Sequence, residues 1–112
     1  MTSINTLLSY ANEGRFLAAA DLLLEAFRNH PEDPHISREL GKVLRSVGDL
    51  EGAITYLKRS WQHDSASPAT VAELILALHE MHREGEATQV MLRSLEAGLD
   101  ETEFANSIIA GA

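Results

Sequence analysis

The sequence has no cysteine, three prolines and few aromatic residues, and it contains no long apolar run. Without cysteine, neither a disulfide framework nor a thiolate metal site can form. No apolar stretch approaches the length needed to cross a membrane. The N-terminus also lacks the basic start and apolar stretch of a signal peptide. We therefore expect a soluble, cytoplasmic protein.

Basic residues are also scarce, because nine Lys and Arg stand against 17 Asp and Glu, for a formal charge of −8. The negative field of such a chain disfavours duplex nucleic acid and anionic membranes as general partners. Hydrophobic residues make up 45% of the chain, which excludes a disordered acidic tail. The length is that of one domain.

The sequence offers no signature of catalysis. It has no serine in a nucleophile elbow and no Gly-rich phosphate loop. His79 and His82 lie three residues apart, but no third histidine stands at a matching spacing for a metal, so we interpret them as a solvated helix end. Glu101 and Glu103 fall in the first turn of a predicted helix, where acids favour the helix dipole. We expect no enzyme activity, no metal and no cofactor.

The chain does contain an internal repeat of 34 residues, a feature typical of stacked helical architectures. Residues at this spacing keep their size and polarity in several sets: Ala19, Ala53 and Ala87; Leu23, Leu57 and Met91; Phe27, Trp61 and Leu95; Pro34 and Pro68. We interpret Phe27, Trp61 and Leu95 as packing residues rather than ligand contacts.

Apolar residues recur at helical spacing within each copy, with no strand-like alternation. The pattern predicts helices over residues 2–12, 15–29, 34–46, 50–63, 68–82, 84–97 and 101–110. Gly52 and Ala53 are small residues at the start of a helix, and we expect them to let the preceding helix approach closely. His82 stands where the middle copy has the turn residue Gly48, which predicts a distorted third turn or a longer helix before it.

This helix–turn–helix unit resembles the tetratricopeptide repeat. The middle copy carries the resemblance best, at these positions: Leu40, Gly41, Gly48, Ala53, Leu57 and Ser60. The resemblance implies an all-α fold, a right-handed α-solenoid of three helix–turn–helix units within a single domain, 1–112. The units would cover about 1–33, 34–67 and 68–101, and a capping helix would follow at about 101–110.

The resemblance also implies a scaffold or adaptor that binds a peptide or helix in a concave groove lined by the first helix of each repeat. The groove residues would include Ile4, Leu8, His35, Arg38, Lys42, Arg45, Leu76 and His79. Arg38, Lys42 and Arg45 form one basic stripe, which would suit a protein segment with acidic residues. The alternative is that these three are ordinary solvated residues paired with Glu39 or Asp49.

Two other functions remain open. The chain could be a secretion-type chaperone for a partly unfolded client, by likeness to bacterial chaperones built from three such repeats. It could instead be a self-assembling structural module, or a fragment of a longer solenoid, because the apolar segment 101–112 suits self-association as a homodimer. The repeats that clamp the acidic C-terminus of large chaperones use Lys, Arg and Asn at positions that hold other residues here, namely Ile4, Leu8, Glu39, Ala69 and Glu73. We do not expect that partner.

Overall fold

The computed structural model describes residues 16–111, which form six helices and no strand. The helices are α1 (Phe16–Asn29), α2 (Pro34–Ser46), α3 (Leu50–His63), α4 (Pro68–Glu80), α5 (Glu84–Glu96) and α6 (Glu101–Gly111). The predicted bounds of α2 and α3 are confirmed. The predicted helix is two residues longer than α4, and the next one is one residue longer than α5. The predicted helix over 2–12, with Ile4 and Leu8, lies outside the described residues.

The starts of the middle helices are fixed by local chemistry. Asp33, Asp49 and Ser67 each accept a hydrogen bond from a backbone N–H of the first helical turn. Such caps satisfy N–H groups that have no partner inside the helix. Pro34 and Pro68 stand at the start of α2 and α4, where a missing N–H costs nothing. Each of these helices therefore begins where its sequence dictates.

The turns after α2 and α4 have the same conformation, although their residues differ. Gly48 ends the first with φ at 87°, and His82 ends the second with φ at 58°. In both turns the following N–H bonds at 2.9 Å to a carbonyl near the helix end, from Asp49 to Leu44 and from Arg83 to Leu78. The expected distortion of the third turn is therefore wrong. Histidine tolerates the left-handed region better than most residues, so α4 stays as short as α2.

Among the described helices, α2 and α3 pack together most extensively, and Gly41 lies at their contact. A Cβ on Gly41 would lie 2.5 Å from Leu57 Cγ and 3.2 Å from the Ala53 carbonyl oxygen. One repeat later Ile75 occupies the position of Gly41, and α4 packs less closely on α5. Small residues thus set the spacing within a helix pair, as the sequence predicts for Ala53.

Gly52 is small for a different reason from the one expected. A Cβ on Gly52 would lie 2.6 Å from Oδ2 of Asp49, not against a neighbouring helix. The Gly52 N–H donates to Asp49 Oδ1 at 2.9 Å. The glycine therefore makes room for the carboxylate that caps α3.

The apolar core lies between successive helices rather than at one centre, as in other repeat stacks. Trp61 is buried against α5, and its indole N–H donates to the buried Ser94 Oγ at 2.9 Å. Phe27 is half-buried and meets Tyr56 edge to face with ring centroids 5.2 Å apart. Leu95, expected to pack in the same way, is 38% exposed because no described helix covers it.

The last helix departs from the regular stack. α4 packs on α3, the helix before it, and also contacts α2 and α6. In contrast, α6 packs on α4 and does not contact α5, the helix before it. Gly98, with φ at 101°, turns the chain out of α5, and Leu99 is buried before Asp100 caps α6. Helices α2, α4 and α6 therefore line one side of the molecule. Within residues 16–111, no helix is both long enough and apolar enough to cross a bilayer.

Candidate functional site: a concave cleft on α2, α4 and α6

The side of the molecule formed by α2, α4 and α6 contains a cleft of about 200 Å³, which we call the concave cleft. α4 forms its floor, since it lies between the other two helices. Seven residues line it: Arg38, Glu39, Lys42, Ala69, Glu73, Ser107 and Ala110. Ligand pockets for small molecules usually start at about 300 Å³. The cleft is thus the right size for one side chain of a partner.

Three residues spaced 34 apart line the concave cleft at the same repeat position of α2, α4 and α6: Glu39, Glu73 and Ser107. Ala69 lies on the floor of the cleft, in α4, and Ala110 lies on its wall, in α6. The small side chains of Ala69, Ser107 and Ala110 leave the space open. The shape of the cleft therefore comes from the repeat, and its width from these small residues.

Glu39 is the unusual residue of the cleft. It is only 5% exposed, and its carboxylate lies between Arg38 Nε at 3.7 Å and Lys42 Nζ at 3.8 Å. Both distances are beyond hydrogen-bond range. The Oε2 atom is buried and accepts no hydrogen bond. Leaving a buried acceptor without a donor typically costs about 1–3 kcal/mol. The cleft therefore holds an acceptor that a donor would satisfy.

Arg45, the third residue of the basic stripe, is engaged in two ion pairs. Its guanidinium donates to Glu73 Oε2 at 3.1 Å and to Glu80 Oε1 at 2.8 Å. These bonds join α2 to α4. Asp49, one of the two acids considered as a partner for the stripe, caps α3 instead. All three basic residues of the stripe therefore lie beside acids, because Arg38 and Lys42 flank Glu39 in the same way.

The concave cleft brings together two of the predicted site residues, Arg38 and Lys42. The other four described ones lie outside its lining. Arg45 bonds Glu73 and Glu80, His35 is exposed and bonded to Arg38, Leu76 is half-buried, and exposed His79 bonds Glu84 at 2.8 Å. Ile4 and Leu8 fall outside the described residues. Sequence reasoning did not include Ser107 and Ala110 in the groove, because it assigned the last helix to capping or self-association. The 34-residue spacing from Glu73 to Ser107 was the signal that could have found them.

A second cleft, of about 250 Å³, lies between the outer helices α3 and α5. Its acid, Glu86, bonds Arg83, whose Nη2 lies 2.8 Å from Oε1, and Lys58 at 3.2 Å. The Arg83 bond and then the Lys58 bond lower the pKa of Glu86 to about 2, and pairing with Glu86 raises the pKa of Arg83. Arg83 also reaches Glu51 of α3 at 3.4 Å. This network joins two outer helices and leaves no unmatched acid.

No group of three His, Cys, Asp or Glu residues within the described part of the chain could hold a metal ion. His79 is engaged with Glu84, and His82 serves the turn after α4.

Neither the family models nor the curated proteins contain a match to this chain. Among the 22 solved chains that match its structure is MamA AMB-1, a protein of tetratricopeptide repeats. The likeness has a TM-score of 0.71 at 19% sequence identity and covers 87% of this chain. The present chain spans 54% of the MamA chain. The predicted fold class is thereby confirmed, and the chain has the α-solenoid fold of tetratricopeptide repeats.

Proposed function

We propose that the chain is a non-enzymatic scaffold or adaptor that holds a segment of a partner protein in the concave cleft. The observation that carries this proposal is the buried, unpaired Oε2 of Glu39 in a cleft walled by three successive helices of one layer. The fold neighbour adds support at the level of fold class, since repeats of this kind are protein-interaction modules.

The dimensions of the cleft favour a protein segment over a small molecule. A volume of about 200 Å³ accepts a side chain, whereas the remainder of a partner helix or strand would rest on the exposed rims of α2 and α6. Amphipathic helices commonly bind in grooves by inserting anchor side chains at helical spacing. The concave cleft offers one such anchor position.

Site-specific photocrosslinking tests the proposal. A benzophenone amino acid would replace Ala69, which is exposed at the cleft floor, in cells that express the whole chain. The matched control carries it at Gln89, an exposed residue of the outer cleft. We expect the Ala69 position to crosslink a discrete segment of a partner protein, identified by mass spectrometry. Crosslinks to the same segment only from Gln89 would place binding on the outer face and contradict the proposal.

A second candidate function, self-association, is favoured by two exposed apolar side chains near the end of the solenoid. Ile109 is 76% exposed and Leu95 is 38% exposed. Leu95 stands at the repeat position of Trp61, which α5 covers through Ser94. Ile109 stands at the position of Gly41, which faces α3. By this register both residues face the place that a further outer helix would occupy, and a second copy of the chain could supply one.

Light scattering over a concentration series tests self-association. We expect a dimer that Leu95→Lys with Ile109→Lys converts to a monomer, because lysine cannot be buried in an apolar contact without loss of hydration. Leu22→Lys is the matched control, at an exposed leucine of α1. A monomer at every concentration would exclude self-association.

A further inference from the structure

We propose that the concave cleft selects a basic side chain of the partner segment, whose ammonium or guanidinium group donates a hydrogen bond to Glu39 Oε2. The inference rests on the proposed function and specifies its partner. It differs from the sequence-based prediction of an acidic segment, and its ground is that the basic stripe already lies beside acids of α2 and α4.

The carboxylate of Glu39 carries the argument. An ionised carboxylate only accepts hydrogen bonds, and buried polar atoms are nearly always bonded. Lys42 Nζ lies 3.8 Å from Oε2, too far for a hydrogen bond. A donor from outside the chain would complete the site. An acidic side chain would instead add a third carboxylate beside Glu39 and Glu73.

A donor from the partner would take the place beside Oε2 that Lys42 Nζ now holds at 3.8 Å. The Lys42 side chain is 38% exposed and belongs to the cleft rim, so its flexible stem can turn into solvent. Arg45 cannot substitute as a donor, since Glu73 and Glu80 hold its guanidinium. Charge-assisted bonds from Lys or Arg to a carboxylate are shorter and stronger than neutral ones. A basic side chain of the partner is therefore the donor that best fits this acceptor.

The shape and charge of the molecule agree with a basic occupant. Ala69, Ser107 and Ala110 leave a cleft of about 200 Å³, which admits a long unbranched side chain. The Ser107 hydroxyl lies on the opposite wall and can accept a second hydrogen bond. The net charge of −8 attracts a basic segment at long range and speeds its encounter.

Peptide titration followed by ¹H–¹⁵N NMR of the whole chain tests the proposal. The probes are acetyl-Ala-Ala-Arg-Ala-Ala-amide and the same peptide with norleucine or glutamate at the centre. We expect the Arg peptide to shift the amide resonances of Glu39, Glu73 and Ser107 in a saturable way. The norleucine and glutamate peptides should bind about tenfold more weakly, the effect of one charge-assisted bond.

Two variants locate the interaction. Glu39→Gln keeps the shape of the side chain and should weaken the Arg peptide about fivefold, since a charged acceptor becomes neutral. Glu96→Gln, an exposed acid of α5 outside the cleft, is the matched control for net charge and should change nothing. Ala69→Leu narrows the cleft while leaving the Glu39 side chain in place, and it should abolish the shifts. Circular dichroism verifies that each variant is helical.

The outcomes separate this inference from the proposed function. Equal affinity for the norleucine or glutamate peptide would overturn the inference and leave the cleft as a protein-binding site. Retained Arg affinity in Glu39→Gln or Ala69→Leu would overturn it as well, and the Ala69→Leu result stands even if the Glu39 variant does not fold. If no peptide moves the cleft resonances, the inference and the proposed function both fail.

Discussion

His82 holds the turn after α4 in the left-handed region, where Gly48 stands one repeat earlier. A side chain with a Cβ is disfavoured there by about 1–2 kcal/mol. Replacing it with glycine removes this strain, but the greater freedom of glycine in the unfolded chain offsets part of the gain in stability. We predict that His82→Gly stabilises the protein by about 0.5–1 kcal/mol. Urea unfolding monitored by circular dichroism measures the change.

The matched control for this prediction is Gly48→Ala, which places a Cβ at φ 87° with no steric obstacle nearby. It should destabilise the protein by about 1 kcal/mol through backbone strain alone. A lower urea midpoint for His82→Gly would show that the imidazole makes a contribution that outweighs its strain.

Gly41 sets the spacing between α2 and α3, so a methyl group there should be costly. The added Cβ would meet Leu57 Cγ at 2.5 Å, and the helices would have to separate. We predict that Gly41→Ala destabilises the protein by about 1–3 kcal/mol, the usual range for overpacking. Thermal unfolding, with the enthalpy fitted, measures the loss.

Gly85→Ala provides the comparison, because a Cβ at Gly85 would meet nothing within 4 Å and the residue is helical. It should stabilise the protein by about 0.5–1 kcal/mol through helix propensity. If both substitutions were stabilising, the close approach of α2 and α3 would not depend on Gly41.

Single residues also show where sequence reasoning reaches its limit. The repeat spacing identifies Trp61 and Ser94 as interior positions, and the structure buries both. Leu95 follows the same pattern but is exposed, because burial depends on a following helix that is not among those described. Whether Glu39 Oε2 has a hydrogen-bond donor depends on distances that differ from a hydrogen bond by less than 1 Å, which no spacing rule determines.

At the level of helix pairs, α3 and α5 are joined by the network around Glu86. Arg83 and Lys58 lower its pKa from an ordinary value near 4.5 to about 2. Because the folded pKa is the lower one, the network stabilises the folded state fully above about pH 5 and loses that effect as the pH falls toward 2. We predict that Glu86→Gln destabilises the protein at pH 7 and has progressively less effect as the pH is lowered.

Urea unfolding of wild type and Glu86→Gln at several pH values between 7 and 2 measures this difference. High salt should reduce it at pH 7, since the ion pairs are partly exposed to solvent. A difference that stays constant from pH 7 to pH 2 would mean that the charge of Glu86 does not contribute.

The helices themselves are largely predictable from the sequence, and their packing is less so. Prolines, caps and apolar spacing determine α2 and α3 to the residue. The sequence pattern places the end of α4 two residues too late, because it does not reveal that His82 adopts a left-handed conformation. The docking of α6 on α4 alone follows from the short connection through Gly98 and Leu99, whose geometry the sequence does not specify.

In the whole molecule, stability is close to a sum of contacts between neighbouring helices, so α6 contributes through its contacts with α4 and the adjoining core. Phe104 is half-buried and packs on the core cluster of α3, α4 and α5, whereas Ile109 points to solvent. We predict that Phe104→Ala costs about 2 kcal/mol and Ile109→Ala less than about 0.5 kcal/mol. Thermal unfolding of the two variants, at a concentration where the chain is monomeric, measures both. Equal losses would mean that α6 is not anchored by its inner face.

The attachment of α6 to a single neighbour also bears on how the molecule fluctuates. Among the described helices, one that is held by a single neighbour opens locally at a lower free energy than helices packed on two sides. Amide hydrogens of α6 should therefore exchange with solvent before those of α3 and α4. Ser107 and Ala110 belong to this helix, so one wall of the concave cleft is present only while α6 is packed on α4. Occupancy of the cleft would then appear as slower hydrogen exchange along α6, far beyond the residues that touch the ligand.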